Sequence, residues 1–192
     1  MEKIRSFYDF IYFIIFLTYF KLYVFLAIPK GSKIIIFDID NTIARTREDN
    51  NSNHVIEIAP NTNLCDASKR LNDLDSYVVL FMSVRPLSML FKTKKWLDLN
   101  IKSINRKKLF FVRTPNQKVK AISHILHNRS IVLIDDMSFD LNKEIFLFEP
   151  VIQEINSSDI SYLGLDFIER SYKMNSGDIY KEITELSQDS NS

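Results

Sequence analysis

The stretch that decides the fold is KIIIFDIDNT, residues 33–42. Its apolar part is short and rich in Ile and Phe, which is typical of a strand buried on both faces of a parallel sheet. Asp38 and Asp40 follow at once, and paired carboxylates do not belong in an apolar core. Open α/β sheets bind ligands just beyond the carboxyl ends of their strands, so a functional site is predicted here. A tight turn after Asp38 would let one Asp contribute its carboxylate and the other its backbone as well.

A second apolar run, residues 77–82, also ends in polar residues. Ser83 follows it directly, and Arg85 comes two positions later, before a proline. A guanidinium group suits bidentate contact with a phosphate. By itself, Ser83 fits a turn or a helix N-cap better than a functional role, and Arg85 is equally consistent with an exposed surface charge.

A third apolar run, residues 108–112, leads into a stretch with helical spacing of apolar residues at 121–126. We predict a strand and then a helix, with Lys118 near the start of the helix. Lys120 is the alternative to Lys118 as a functional lysine. An ordinary exposed lysine in the first turn of a helix remains the other interpretation of either residue.

A fourth apolar run, residues 131–134, delivers Asp135 and Asp136 to the same edge of the predicted sheet, and Asp140 follows. Adjacent carboxylates repel each other unless a cation or hydrogen-bond donors compensate. A helix N-cap followed by a turn explains one aspartate well, but it does not explain two.

Together, these residues resemble the four motifs of the haloacid dehalogenase (HAD) superfamily. The run from Asp38 to Thr42 matches its DxDxT signature, and Ser83 matches the Ser or Thr at the end of the second strand. Lys118 matches the lysine of the third motif, and Asp136 the fourth motif in its Asp-Asp-x-x-x-Asp form. The resemblance covers residues 33–140 and implies a phosphatase type that is capless or has a small cap.

The resemblance implies that Asp38 attacks phosphorus and that Asp40 protonates the leaving group and then deprotonates the hydrolytic water. A hard cation held by carboxylate and backbone oxygens suggests Mg²⁺, and no His or Cys cluster argues for zinc. The implied set comprises the catalytic residues Asp38, Asp40, Ser83 and Lys118, the substrate-binding residues Thr42 and Arg85, the metal ligands Asp38, Asp40 and Asp136, and the supporting residues Asp135 and Asp140.

We therefore expect an α/β fold, a Rossmann-like three-layer sandwich with a parallel sheet. A small β flap is expected after the first strand, with residues 54–58 as one arm, and no large cap. Residues 145–148 are expected to form the fifth strand. A site without a large cap is open, which by fold analogy favours a large, macromolecular or membrane-linked phosphorylated substrate.

The N-terminal segment differs from the rest of the chain. Residues 10–28 form an apolar stretch in which Lys21 is the only charge. As a helix this stretch is roughly 28 Å long, close to the hydrocarbon thickness of a bilayer. We predict an uncleaved membrane anchor, single-pass or peripheral, with the catalytic domain in the cytoplasm. The alternatives are a helix packed on the domain, which would leave the protein simply cytoplasmic, or one lying in the membrane interface.

Three regions are expected, namely the hydrophobic segment 1–32, a catalytic core 33–156 and a helical C-terminal extension 157–192. A formal net charge of +1 gives no basic excess, so a nucleic-acid partner is not favoured. Cys65 is the only cysteine, which excludes an internal disulfide and predicts a small packing residue.

These observations favour a membrane-associated, Mg²⁺-dependent phosphatase that hydrolyses a phosphomonoester. The second Asp of the first motif favours phosphoryl transfer over dehalogenation, since family dehalogenases generally lack it. Two alternatives stay open. One is a nucleotide or polynucleotide-end phosphatase, and the other is a catalytically silent scaffold that recruits a partner to the membrane.

Overall fold

The computed structural model describes residues 2–48, 55–101, 108–126, 129–137, 139–140, 145–146 and 148–189. The strands are, in chain order, β1 (Lys33–Phe37), β2 (Ala44–Glu48), β3 (Val55–Pro60), β4 (Tyr77–Val84), β5 (Leu109–Val112), β6 (Ile131–Ile134), β7 (Phe139–Asp140), β8 (Ile145–Phe146) and β9 (Ser161–Leu163). The helices are α1 (Glu2–Ala27), α2 (Thr62–Asn72), α3 (Leu90–Asn100), α4 (Pro115–Ser123), α5 (Glu149–Asn156), α6 (Leu165–Ser171) and α7 (Ser176–Asp189), and the 3₁₀ turn Leu87–Met89 precedes α3.

The expected parallel α/β sheet is confirmed. Five parallel strands lie in the order β5-β4-β1-β6-β9. The chain moves outward from β1 through β4 to β5 and then crosses to β6 and β9 on the other side. The order therefore reverses between β1 and β6, and the carboxyl ends of these two strands border the crevice where open α/β sheets bind ligands.

Alternate residues of each buried strand pack against opposite layers of helices. On one face the sheet packs against α2, α3, α6 and α7, and on the other against α1, α4 and α5. Cys65 lies buried in the first of these cores, as expected for a packing residue. The result is a Rossmann-like three-layer arrangement.

The hairpin expected after the first strand is present as antiparallel β2 and β3. Together with α2 it accounts for the described residues between β1 and β4. The N-cap of α2 is Asn61, whose side chain accepts a hydrogen bond from Leu64 N. Asn63, the second residue of the helix, is not the cap. Asn63 instead donates to the carbonyl oxygen of Ser171, 3.0 Å away.

The expectation for the fifth strand was wrong. Residues 145–146 form β8, which pairs antiparallel with β7 outside the main sheet. The fifth parallel strand is β9, in which Ser161 pairs with Val132 of β6. Because β9 lies beyond residue 156, the boundary expected between core and extension divides the sheet, and the C-terminal helices pack on the same core.

Helix α1 is also part of the packed structure. Phe16, Phe20, Val24 and Ile28 recur every fourth residue, are buried, and join the core on the α4 side of the sheet. The Phe20 ring centroid lies 4.8 Å from that of Phe110 in β5. One face of α1 therefore belongs to the core.

The other face of α1 is apolar and exposed. Among the described residues, the segment Phe7–Ala27 is long and apolar enough to cross a membrane, a test that core helices and signal sequences also pass. Only 22 % of the most apolar 18-residue stretch of this segment is buried inside the protein, which is low for a core helix. At the C-terminal end of α1, Arg129 donates to the carbonyl oxygens of Ile28 and Pro29, 3.2 Å from each.

Candidate active site

Three buried aspartates meet at the reversal point of the sheet. Asp38 follows β1, while Asp135 and Asp136 follow β6. The backbone N–H of Asp38 donates to Ile134 O at 2.8 Å, which fixes the first aspartate beside β6. One carboxylate oxygen from each lies within 4.8 Å of the others, and each residue is 3–4 % exposed.

Lys118 is the cation of this cluster. Thr114 caps α4 through its side chain, and Pro115 occupies the first turn, so α4 begins directly after β5. From there Lys118 Nζ donates to Asp38 Oδ1 at 2.5 Å and to Asp135 Oδ2 at 2.6 Å. Of the two lysines weighed from the sequence, Lys118 is buried at the site and Lys120 is exposed.

The electrostatics of the cluster are unbalanced. Burial raises the pKa of Asp38 well above its usual value, the Lys118 ammonium opposes that rise, and Asp135, Asp40 and Asp136 add to it. Burial lowers the pKa of Lys118, but its two carboxylate partners outweigh this and leave the pKa raised. Three carboxylates and one ammonium carry two net negative charges when ionised, so a divalent cation fits the charge of the site.

Asp40 lies in a second, adjacent group. Its carboxylate accepts hydrogen bonds from Ser83 Oγ at 2.6 Å, from Arg85 Nε at 2.8 Å and from Arg85 Nη2 at 2.6 Å. Arg85 is buried and also donates to Thr93 Oγ1 at 2.6 Å. The Asp40 side chain is 23 % exposed, so this carboxylate is accessible at the surface of the site.

A tight turn separates Asp38 from the residues that follow. Asn41 adopts a left-handed conformation with φ of 57°, which asparagine tolerates better than most residues. Thr42 is fully buried, and its hydroxyl accepts a hydrogen bond from Asp136 N at 3.2 Å. This placement favours a positioning role for Thr42 over the substrate contact expected from the sequence.

The three clustered carboxylates suit a hard divalent cation such as Mg²⁺. The expected ligands were Asp38, Asp40 and Asp136, whereas the structure gathers the carboxylates of Asp38, Asp135 and Asp136. The Asp40 carboxylate is instead hydrogen-bonded by Ser83 and Arg85. Of the expected metal ligation by Asp40, only a contribution from its backbone is compatible with this arrangement. The backbone of Asp140 ends β7, and its side chain lies outside the described part of the chain.

Two residues at the site were not anticipated from the sequence. Tyr162 in β9 donates from its hydroxyl to Asp135 O at 2.8 Å, and Thr93 in α3 accepts from Arg85. Burial and then the nearby carboxylates raise the pKa of Tyr162, so its phenol remains a donor. Neither residue belongs to a recognisable sequence motif. The one weak signal for a contact with Arg85 was the position of Thr93 in a helix, eight residues further along the chain.

A cleft of about 650 Å³ adjoins the Asp40 group. Arg85 lines it together with the loop after β4, the residues after β5 and the N-terminal half of α1. The described site thus combines a buried acidic cluster, a lysine, a guanidinium–hydroxyl pair and an adjoining cleft. In comparisons with family models, curated proteins and solved structures, none matches this chain.

Proposed function

We propose that this chain is a Mg²⁺-dependent phosphatase of the HAD type, which hydrolyses a phosphomonoester through an aspartyl-phosphate on Asp38. The observation that carries the proposal is the convergence of Asp38, Asp135 and Asp136 within 4.8 Å, with Lys118 on two of them. A scaffold has no physical need for buried like charges, which are costly without a counterion. The order of the four motifs along the sequence supports the same assignment.

The acidic cluster would hold the Mg²⁺ ion through carboxylate oxygens of Asp38, Asp135 and Asp136. When bound, the ion supplies positive charge next to the phosphoryl oxygens. Lys118 favours the ionised form of Asp38, which is the form that can attack. The same ammonium would offset negative charge that gathers on the phosphoryl group during the reaction.

In the first step, an oxygen of Asp38 forms a bond to phosphorus while the bond from phosphorus to the leaving oxygen breaks. Asp40, in its protonated form, gives that oxygen a proton. In the second step Asp40 takes a proton from water, the water oxygen bonds to phosphorus, and the bond to Asp38 breaks to release inorganic phosphate.

The hydrogen bonds of Asp40 couple substrate binding to this proton transfer. Ser83 and Arg85, the two donors that suit a phosphate, both donate to the Asp40 carboxylate. A phosphate group that recruits these donors releases the carboxylate for proton transfer. We propose that Ser83 and Arg85 shift their hydrogen bonds in this way from the Asp40 carboxylate to the phosphate group of the substrate.

Membrane association is part of the proposal. The exposed apolar face of α1 supports it, while the buried face favours peripheral attachment over a free-standing span, since a span would withdraw Phe16 and Phe20 from the core. The catalytic domain would then face the cytoplasm. The lone, buried Cys65 is compatible with a reducing compartment.

The test is phosphate release from an aryl phosphate by the full chain, with and without Mg²⁺. The full chain is needed because α1 belongs to the core. Asp38→Asn should lower kcat by about 10³-fold or more, since the nucleophile is lost. Asp66→Asn, the same change at an exposed aspartate, is the matched control. Equal turnover by Asp38→Asn and wild type would refute the proposal.

A further inference from the structure

The cleft beside the site has walls of two origins. One wall comes from the catalytic edge of the sheet and includes Arg85, Leu87 and Thr114. The other comes from α1, through Asp9 and Tyr12. The helix that is apolar enough for a membrane therefore borders the cleft that shares Arg85 with the candidate active site.

Specific contacts hold α1 in this position. The Tyr12 hydroxyl donates to Phe111 O of β5 at 3.0 Å. Arg113, which also lines the cleft, pairs with Asp9 and places its guanidinium carbon 4.4 Å from the centroid of the Tyr12 ring. These contacts fix the N-terminal half of α1 as one wall of the cleft, next to the catalytic edge of the sheet.

The surface next to the cleft is apolar. The outer face of α1 exposes large hydrophobic side chains from its first described turns to its last, among them Phe7, Phe10, Ile14, Ile15, Leu22 and Phe25. Phe25 is 74 % exposed. An apolar surface that runs the length of a long helix is typical of a membrane contact. Leu87, at 57 % exposure, continues the apolar character into the cleft.

Two arginines contribute positive charge to the cleft. Arg85 and Arg113 both line it, and guanidinium groups suit phosphate oxygens. A ligand that matches both these arginines and the apolar surface carries a phosphate on an apolar body. A soluble sugar phosphate or nucleotide would leave Leu87 and the face of α1 without contacts.

We propose that the cleft binds the phosphomonoester headgroup of a bilayer lipid, whose hydrocarbon chains lie along the exposed face of α1 in one leaflet. The inference rests on the proposed phosphatase function and names its substrate class. Helix α1 then lies in the plane of the leaflet, with its inner face on the sheet and its outer face in lipid. The substrate reaches the site from the membrane side rather than from water.

The experiment compares two substrates with one headgroup chemistry. Full-length protein with Mg²⁺ is given phosphatidic acid in phosphatidylcholine vesicles or glycerol 3-phosphate in solution, and phosphate release is measured. We expect kcat/KM to favour the lipid by about 100-fold or more. Leu87→Gln should lower the ratio of lipid to glycerol phosphate turnover by about tenfold, since it removes an apolar contact. A ratio measured within one protein cancels any loss of folded material.

The matched control is Leu99→Gln, the same change at a leucine that is 72 % exposed and does not line the cleft. Its turnover ratio should equal that of the wild type. Equal turnover of the two substrates, or equal ratios in the two variants, would overturn the inference. A full chain that fails to sediment with the vesicles, and instead buries α1 in a dimer, would overturn it too. The absence of phosphate release from phosphatidic acid, glycerol 3-phosphate and an aryl phosphate alike would defeat the phosphatase proposal itself.

Discussion

Lys118→Met tests the electrostatic argument for the site most directly. Lys118 is 2 % exposed and pairs with Asp38 and Asp135 at 2.5 and 2.6 Å. Methionine fills much of the same space but leaves the carboxylates without their cation. Breaking a buried pair from one side costs about 3–5 kcal/mol of the free energy of unfolding. For a chain of this size that lowers Tm by roughly 6–20 °C.

The stability deficit of Lys118→Met should also change with pH in a definite direction. The pKa of Asp38 already lies above its usual value, and loss of the ammonium raises it further. A native pKa above the unfolded one means that the native state binds protons more tightly, so the free energy of unfolding rises as the pH falls. The deficit of the variant should therefore shrink as the pH falls through the raised native pKa of Asp38.

Thermal and urea unfolding of the full chain without Mg²⁺ measure both quantities. The control is Lys120→Met, the same change two residues along α4 at an exposed lysine. It should unfold within about 0.5 kcal/mol of the wild type at every pH. A Lys118→Met variant that behaves like this control would show that the buried carboxylates are not held by the ammonium, and the charge argument would fail.

Three further predictions follow from the same contacts. Asp136→Asn removes one carboxylate from the cluster. The stabilisation by Mg²⁺ in thermal unfolding, about 2.7 kcal/mol at a hundred times Kd, should therefore largely disappear. The metal-free variant should be no less stable than the metal-free wild type. Arg85→Lys loses the bidentate geometry on Asp40 and should lower kcat/KM for an aryl phosphate by about 10- to 100-fold, and an unchanged value would contradict its role on the phosphate. Phe25→Glu, on the exposed face of α1, should weaken sedimentation with phosphatidylcholine vesicles by about 10- to 100-fold without lowering Tm, and equal sedimentation would place the membrane contact elsewhere.

The position of the site was largely predictable, because it depends on strand ends. Short apolar runs predict buried strands, and parallel strands bring their carboxyl ends to one edge. This places Asp38, Ser83 and Asp136 together before any distance is known. Pairing within the site was less accessible, since spacing along the chain does not say that Arg85 binds Asp40 or that Asp135 joins the acidic cluster.

The errors have a common physical cause. Residues 145–148 have the apolar pattern of a strand but lie outside the main sheet, while Ser161–Leu163 has no apolar run and still pairs with β6. Tertiary pairing overrides local pattern in such short segments. Likewise, α1 is apolar on all sides, so periodicity cannot separate its buried face from its exposed one.

The docking of α1 has a consequence for the order in which the protein is made. The Tyr12 hydroxyl donates a hydrogen bond to the carbonyl oxygen of Phe111, 99 residues later in the chain. At about 5–20 residues per second, α1 exists for roughly 5–20 s before β5 has been synthesised. During that interval the inner face of α1 lacks its partner from β5, and the outer face is exposed as well. A bilayer surface or a chaperone that covers α1 early would therefore act on folding as well as on location, and the sheet would be completed against a helix already in place.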